Sequence, residues 1–162
     1  MYIQFFENVL KREFSQRTID KYSIRDFCLA AKISRGTFYR NFKNFDDLFC
    51  QILQFEIDYY FTRLQSSNLR KTIHRLLLQI EADAIYYRNI HHFASSRIRT
   101  QLNHALFVAI QKLLFNSELS NKHIQSISGL IFIRILDWVS HDYQDNLINV
   151  YTDIECIVQH HL

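Results

Sequence analysis

Proline is absent from this chain, and glycine occurs only twice, at Gly36 and Gly129. Hairpins, sheets and barrels need tight turns, built from residues that accept positive φ or arrive with φ already fixed. A chain with so few of them is ill equipped for an all-β fold. The same scarcity removes glycine-rich phosphate loops, and with them P-loop and dinucleotide-binding chemistry. Hydrophobic residues make up 48% of the 162 and charged residues 22%, enough for a packed core and without the signature of disorder. The expectation is an all-α protein of one or two small domains.

Apolar spacing supplies the helices. Ile3, Phe6, Leu10 and Phe14 lie on one face of a first helix, followed by the polar stretch SQRTIDKY. Ser23 with Asp26 three residues on forms a capping box, in which hydroxyl and carboxylate satisfy the free N–H groups of a new helix. That helix runs over about 24–31 and buries Phe27, Ala30 and Ala31. After the short break Lys32-Ile33, Ser34 caps a second helix over 35–42, and Asn44 with Asp47 caps a third. Helices of about eight residues are unstable alone, so these must pack on each other and on the first. Further helices are predicted from Asn44 to about Gln65, from Leu69 to about His91, from about Ser96 to Phe115, over 124–139 and over 146–161, with Ser66-Ser67-Asn68 as the clearest linker.

Charge is unevenly placed. Residues 11–43 hold 9 Lys/Arg against 3 Asp/Glu, a net of +6, whereas 51–162 hold 10 against 10. A basic segment joined to a neutral one points to a polyanion at the N-terminal part. Cys28, Cys50 and Cys156 are odd in number and widely spaced, unlike a disulfide framework or zinc ribbon. Glu7 interrupts the apolar N-terminus, unlike a signal peptide, and Arg134 and Asp137 interrupt the longest apolar run, unlike a membrane span. These features point to a soluble, cytoplasmic protein with reduced thiols. His91-His92 point apart on a helix and His160-His161 lie at the terminus, so no metal set forms, and no Ser, His and Asp converge recognisably. No cofactor, metal or catalytic role is expected.

Two short capped helices around a tight break make a helix-turn-helix pattern. From Phe14 to Leu53 the chain resembles the DNA-binding segment of the TetR/AcrR family of bacterial transcription regulators. The match rests on Phe14, Ile19, Ser23-Ile24-Arg25-Asp26, Ala31, Ile33 through Tyr39, and Phe42-Lys43. It implies a helix-turn-helix domain over 1–45, followed by a helical effector-binding and dimerisation domain over 46–162. Helix N-termini at Ser23 and Ser34 can receive phosphates. Arg35, Thr37 and Tyr39 can face DNA while Phe38 and Phe42 face the core, and Gly36 permits close approach of the backbone. Arg40, Asn41 and Lys43 are expected to contact phosphates or bases, and by resemblance Arg25 also reaches DNA. Thr18 and Lys32 stand where the family has glycine, which implies a left-handed conformation at both, and Phe45 stands where a lysine is common.

The resemblance also implies a small-molecule cavity, for which Tyr86, Tyr87, His91, Phe93 and Phe107 are the candidates. The helix over 124–139 is apolar all round and must be covered on every side. A second copy of the chain is expected to supply that cover, through Ile127, Ile131, Ile135, Trp138, Leu147, Tyr151, Ile154 and Val158, the alternative being a bundle closed within one chain. The resulting expectation is a homodimeric repressor on a pseudo-palindromic operator, released by a small-molecule effector and not associated with membranes. The alternative is a helical adaptor that keeps the fold without specific operator binding.

Overall fold

The computed structural model describes residues 2–63, 68–115 and 117–161. Among them are nine α-helices and no strand: α1 Tyr2–Phe14, α2 Ile24–Ala31, α3 Arg35–Asn41, α4 Phe45–Asp58, α5 Leu69–Ala82, α6 Ala84–Phe93, α7 Ser96–Leu113, α8 Asn121–Ser140 and α9 Leu147–His161. A single π-helical turn, Tyr59–Arg63, continues α4. Residues 64–67, which include the end of the helix predicted to Gln65 and most of the predicted linker, lie outside the described residues. Asn68 caps α5 by accepting the Lys71 N–H.

The first three helices close on phenylalanine. Phe6, Phe14, Phe27 and Phe38 are fully buried. Phe6 meets Phe42 edge-on with centroids 4.9 Å apart, and Phe45 of α4 stacks on Phe49 at 5.5 Å. Burying a ring of this size contributes about 1.5–3 kcal/mol, which gives short helices their stability. Ser23, Ser34 and Asn44 cap α2, α3 and α4, each accepting a backbone N–H three residues ahead.

Of the two residues expected to be left-handed, Lys32 is, with φ 54° and ψ 42°. The Ile33 N–H then closes the α2–α3 turn on the Cys28 carbonyl at 3.0 Å. Thr18 is not left-handed. Asn89, reaching in from α6, accepts the Ile19 N–H and donates to the carbonyls of Phe14 and Arg17. A distant side chain therefore holds the corner, in place of the left-handed turn expected at Thr18.

Two further expectations need correction. The helix predicted from Leu69 to His91 is broken at Asp83, whose carboxylate is bonded by Gln79 and lies 3.7 Å from Lys11 of α1. The stripe assigned to a second subunit faces inward. Ile127, Ile131, Trp138, Leu147, Ile154 and Val158 are buried within the chain, while Ile135 and Tyr151 are partly buried. Neighbours α5, α6 and α7, together with the α8–α9 pairing, supply the cover that an all-round apolar helix needs. What remains outside is a different set: Leu130 and Ile133 on α8 and Ile148 on α9, 43%, 63% and 72% exposed.

Candidate functional site

α3 begins at Arg35, immediately after its Ser34 cap, and only Phe38 of its seven residues is buried. Ser34, Arg35, Gly36, Tyr39 and Arg40 are exposed on it, as are Ser23 and Arg25 at the start of α2 and Lys43 beyond α3. α2 and α3 pack on each other, so the exposed basic and hydroxyl side chains picked out from the sequence lie on neighbouring helices. Four of the residues expected at the DNA already have protein partners. Ser23 donates to the Asp26 carboxylate at 2.6 Å, a bond that holds this carboxyl below its ordinary pKa, and Thr37 lies 3.0 Å from the Ser34 hydroxyl. Asn41 donates back to the Thr37 carbonyl at 2.7 Å. The side chains of Arg25, Arg35, Tyr39, Arg40 and Lys43 form no ion pair or hydrogen bond among the described residues.

Gly36 is informative by contrast. Its φ is not positive, and a Cβ placed there would meet only the Ser34 hydroxyl, at 3.6 Å. Nothing within the chain requires a glycine in this helix, where it weakens the structure relative to alanine. Cys28, by contrast, is an interior group: its thiol lies 4.0 Å from the Ser34 carbonyl, and burial pushes its pKa up.

A cavity of about 140 Å³, partly open to solvent, is lined by α4, α5, α6, α7 and α8. Tyr87 and His91 line it, with Leu53, Leu102, Phe132 and Val139 among the wall, and the atoms facing it are apolar. The other three candidates sit elsewhere. Tyr86 is buried under the Lys11 ammonium, Phe93 packs on Phe14 at 5.8 Å, and Phe107 lies beside His104.

At one edge of the cavity the Glu56 carboxylate accepts the Tyr87 hydroxyl at 2.9 Å and lies 3.1 Å from Lys11. Burial pushes Glu56 up to about 7, against the pull of Lys11 and the Tyr87 bond. Burial would lower the Lys11 ammonium, but the adjoining Glu56 and Glu7 carboxylates outweigh it and hold its pKa above the ordinary value. At another edge Arg99 approaches His91 to 3.4 Å. Burial, then the Arg99 and His92 charges, lower His91 and keep it neutral near pH 7.

Sequence reasoning missed Asn89 and Glu56. Each carried a signal, a polar residue in an apolar phase: Asn89 stands between Tyr86 and Phe93, and Glu56 stands four residues after Ile52. Among the described residues no group of three or more His, Cys, Asp or Glu is placed to hold a metal ion, and no helix is long and apolar enough to cross a membrane.

No family model matches the sequence, and no curated protein matches it. Solved structures do resemble the fold over nearly its whole length. The dihydroxyacetone kinase operon activator DhaS aligns with a TM-score of 0.66 at 17% identity, over 99% of this chain and 96% of that one. The fatty acid degradation regulator FadR from Bacillus halodurans aligns at 0.63 and 16%, over 96% and 93%. E. coli NemR in its reduced form aligns at 0.54 and 15%, over 97% of each chain. At these identities the likeness is one of fold: the chain shares an all-helical architecture with these proteins.

Proposed function

We propose that the chain is a sequence-specific, double-stranded-DNA-binding transcription regulator of the TetR/AcrR type. In this reading residues 1–45 contact DNA, and 46–162 hold an effector and a second subunit. The observation that carries the reading is the surface built by α2 and α3. The side chains of Arg25, Arg35, Tyr39, Arg40 and Lys43 are exposed there with no ion pair or hydrogen bond among the described residues, beside a glycine whose would-be Cβ meets only the Ser34 hydroxyl. An exposed arginine at the start of a helix suits bidentate contact with guanine in a major groove, and a bare backbone at Gly36 lets the helix sit deep. The names of two fold neighbours, an operon activator and a degradation regulator, support the same class of function. Since one is an activator, the fold leaves both signs of regulation open.

The reading includes a homodimer, with its contact moved from the buried stripe to the exposed Leu130, Ile133 and Ile148. Gly129 lies beside this patch with nothing within 4 Å of a would-be Cβ, which leaves room for a second helix to approach. A two-fold pair would present two copies of α3 to successive major grooves.

The test is a gel-shift titration on the DNA upstream of the chain's own gene, with elution volume measured in parallel. Arg35→Ala and Tyr39→Ala are expected to abolish the shift while the protein elutes as a dimer, and affinity should fall steeply with salt. Unchanged affinity in both variants overturns the DNA assignment. Elution of the native chain as a monomer overturns the dimer.

A further inference from the structure

We propose that the cavity between α4 and α8 takes a small, uncharged, apolar molecule, of the size of one aromatic ring or a short alkyl chain. This deepens the effector reading above and rests on it only for the regulatory consequence, since binding is read without DNA. Size comes first. A closed apolar cavity of about 150 Å³ admits a benzene-sized guest; this one has similar room, about 140 Å³, and is partly open, which gives a guest a way in.

The wall decides the chemistry. Side chains such as Leu53, Leu102, Phe132 and Val139 present carbon to the space, and no polar atom faces it. A sugar or polyol would bury hydroxyls with nothing to receive them. The polar groups at the edges are already committed to the protein. Glu56 is held by Tyr87 and Lys11, and the neutral His91 lies against Arg99.

Arg99 is the one group that an anion would seek, because its Nε is buried with no partner. Yet none of its nitrogens faces the cavity, so a carboxylate would shed its water before meeting the charge. An uncharged guest loses no such hydration and replaces empty space with close contacts.

The experiment is thermal unfolding of the full chain, followed by circular dichroism, with toluene, benzoate or glycerol as probes. Toluene at about ten times its Kd should raise Tm by about 3–6 °C. Benzoate and glycerol at the same concentration should leave Tm unchanged. Leu102→Trp, which fills the cavity, should lose the toluene shift, and Ala94→Leu serves as a second filler if the first does not fold. No toluene shift, a benzoate shift as large as that of toluene, or a toluene shift undiminished in a folded filler each overturns the proposal. Arg35→Ala should keep the full toluene shift, so a failure of DNA binding and a failure of this site are told apart.

Discussion

Replacing Asn89 by alanine tests the joint between the two halves of the chain. The side chain has no solvent exposure and makes three hydrogen bonds, accepting the Ile19 N–H at 2.9 Å and donating to the Phe14 and Arg17 carbonyls at 2.8 Å each. Asn89→Ala leaves the Phe14 carbonyl buried and unpaired, at about 1–3 kcal/mol, and removes two partly buried bonds worth about 1 kcal/mol each. The sum is about 3–5 kcal/mol. At roughly 2–4 °C of Tm per kcal/mol for a chain of this length, the variant should melt about 10 °C below the native protein. Asn89→Asp sharpens the test. It keeps an acceptor for Ile19 but loses both donors and aims an anion at two carbonyls, so near neutral pH it should be at least as unstable as the alanine variant. Thermal melts of the three proteins decide the matter. An alanine variant within about 2 °C of native, or an aspartate variant as stable as native, refutes the account of the corner.

Three further outcomes are expected. Gly36→Ala should raise stability by about 0.5–1 kcal/mol, since the new methyl meets only the Ser34 hydroxyl, while gel-shift affinity falls; a variant that binds DNA as well as native removes the argument from close approach. Lys32→Gly relieves the left-handed conformation at φ 54° and should raise Tm by about 2–4 °C; a lowered Tm shows that no strain is stored there. Glu56 is raised to about 7 when folded, so the native state holds a proton that the unfolded chain releases near its ordinary pKa of about 4.3. Its contribution is therefore full below about pH 4.3 and is lost as pH rises through 7. Glu56→Gln keeps an acceptor for Tyr87 and should flatten the fall in Tm between about pH 4.3 and 7, with the opposing titration of His91 common to both proteins; parallel Tm profiles refute the assignment.

What was legible in the sequence was local. The caps at Ser23, Ser34 and Asn44 are readable because a cap involves only four neighbouring residues, and the aromatic spacing marks the faces that bury Phe27 and Phe38. What was not legible depends on residues far away in the chain. The break at Asp83 carries no proline or glycine and comes at the point where Gln79 bonds the carboxylate and Lys11 of α1 approaches it. The spacing of the stripe from Ile127 to Val158 marks a face that needs cover but not what covers it, and the chain's own helices, not the second subunit expected from the sequence, do the burying. Periodicity likewise reports that Tyr86, Tyr87 and Phe93 lie inside without saying that they face different interiors.

That difference bears on how the two halves communicate. α6 is only ten residues long, yet both of its faces are engaged. Tyr87, Ile90 and His91 line the cavity, while Tyr86 sits under Lys11, Asn89 holds the 14–19 corner and Phe93 packs on Phe14. A helix this short moves as a rigid rod, so a guest that shifts the cavity face shifts the corner too. Because the corner leads directly into α2, its displacement changes how α2 and α3 are presented. The size of any such effect is bounded by how differently the guest binds the two arrangements. On this reading the toluene probe changes gel-shift affinity in the native chain and loses that influence in Asn89→Ala, even where the variant still binds both toluene and DNA. An Asn89→Ala protein whose DNA affinity responds to toluene as strongly as the native chain's would place the coupling elsewhere, for instance at the Glu56–Lys11 pair, which also joins the cavity edge to α1.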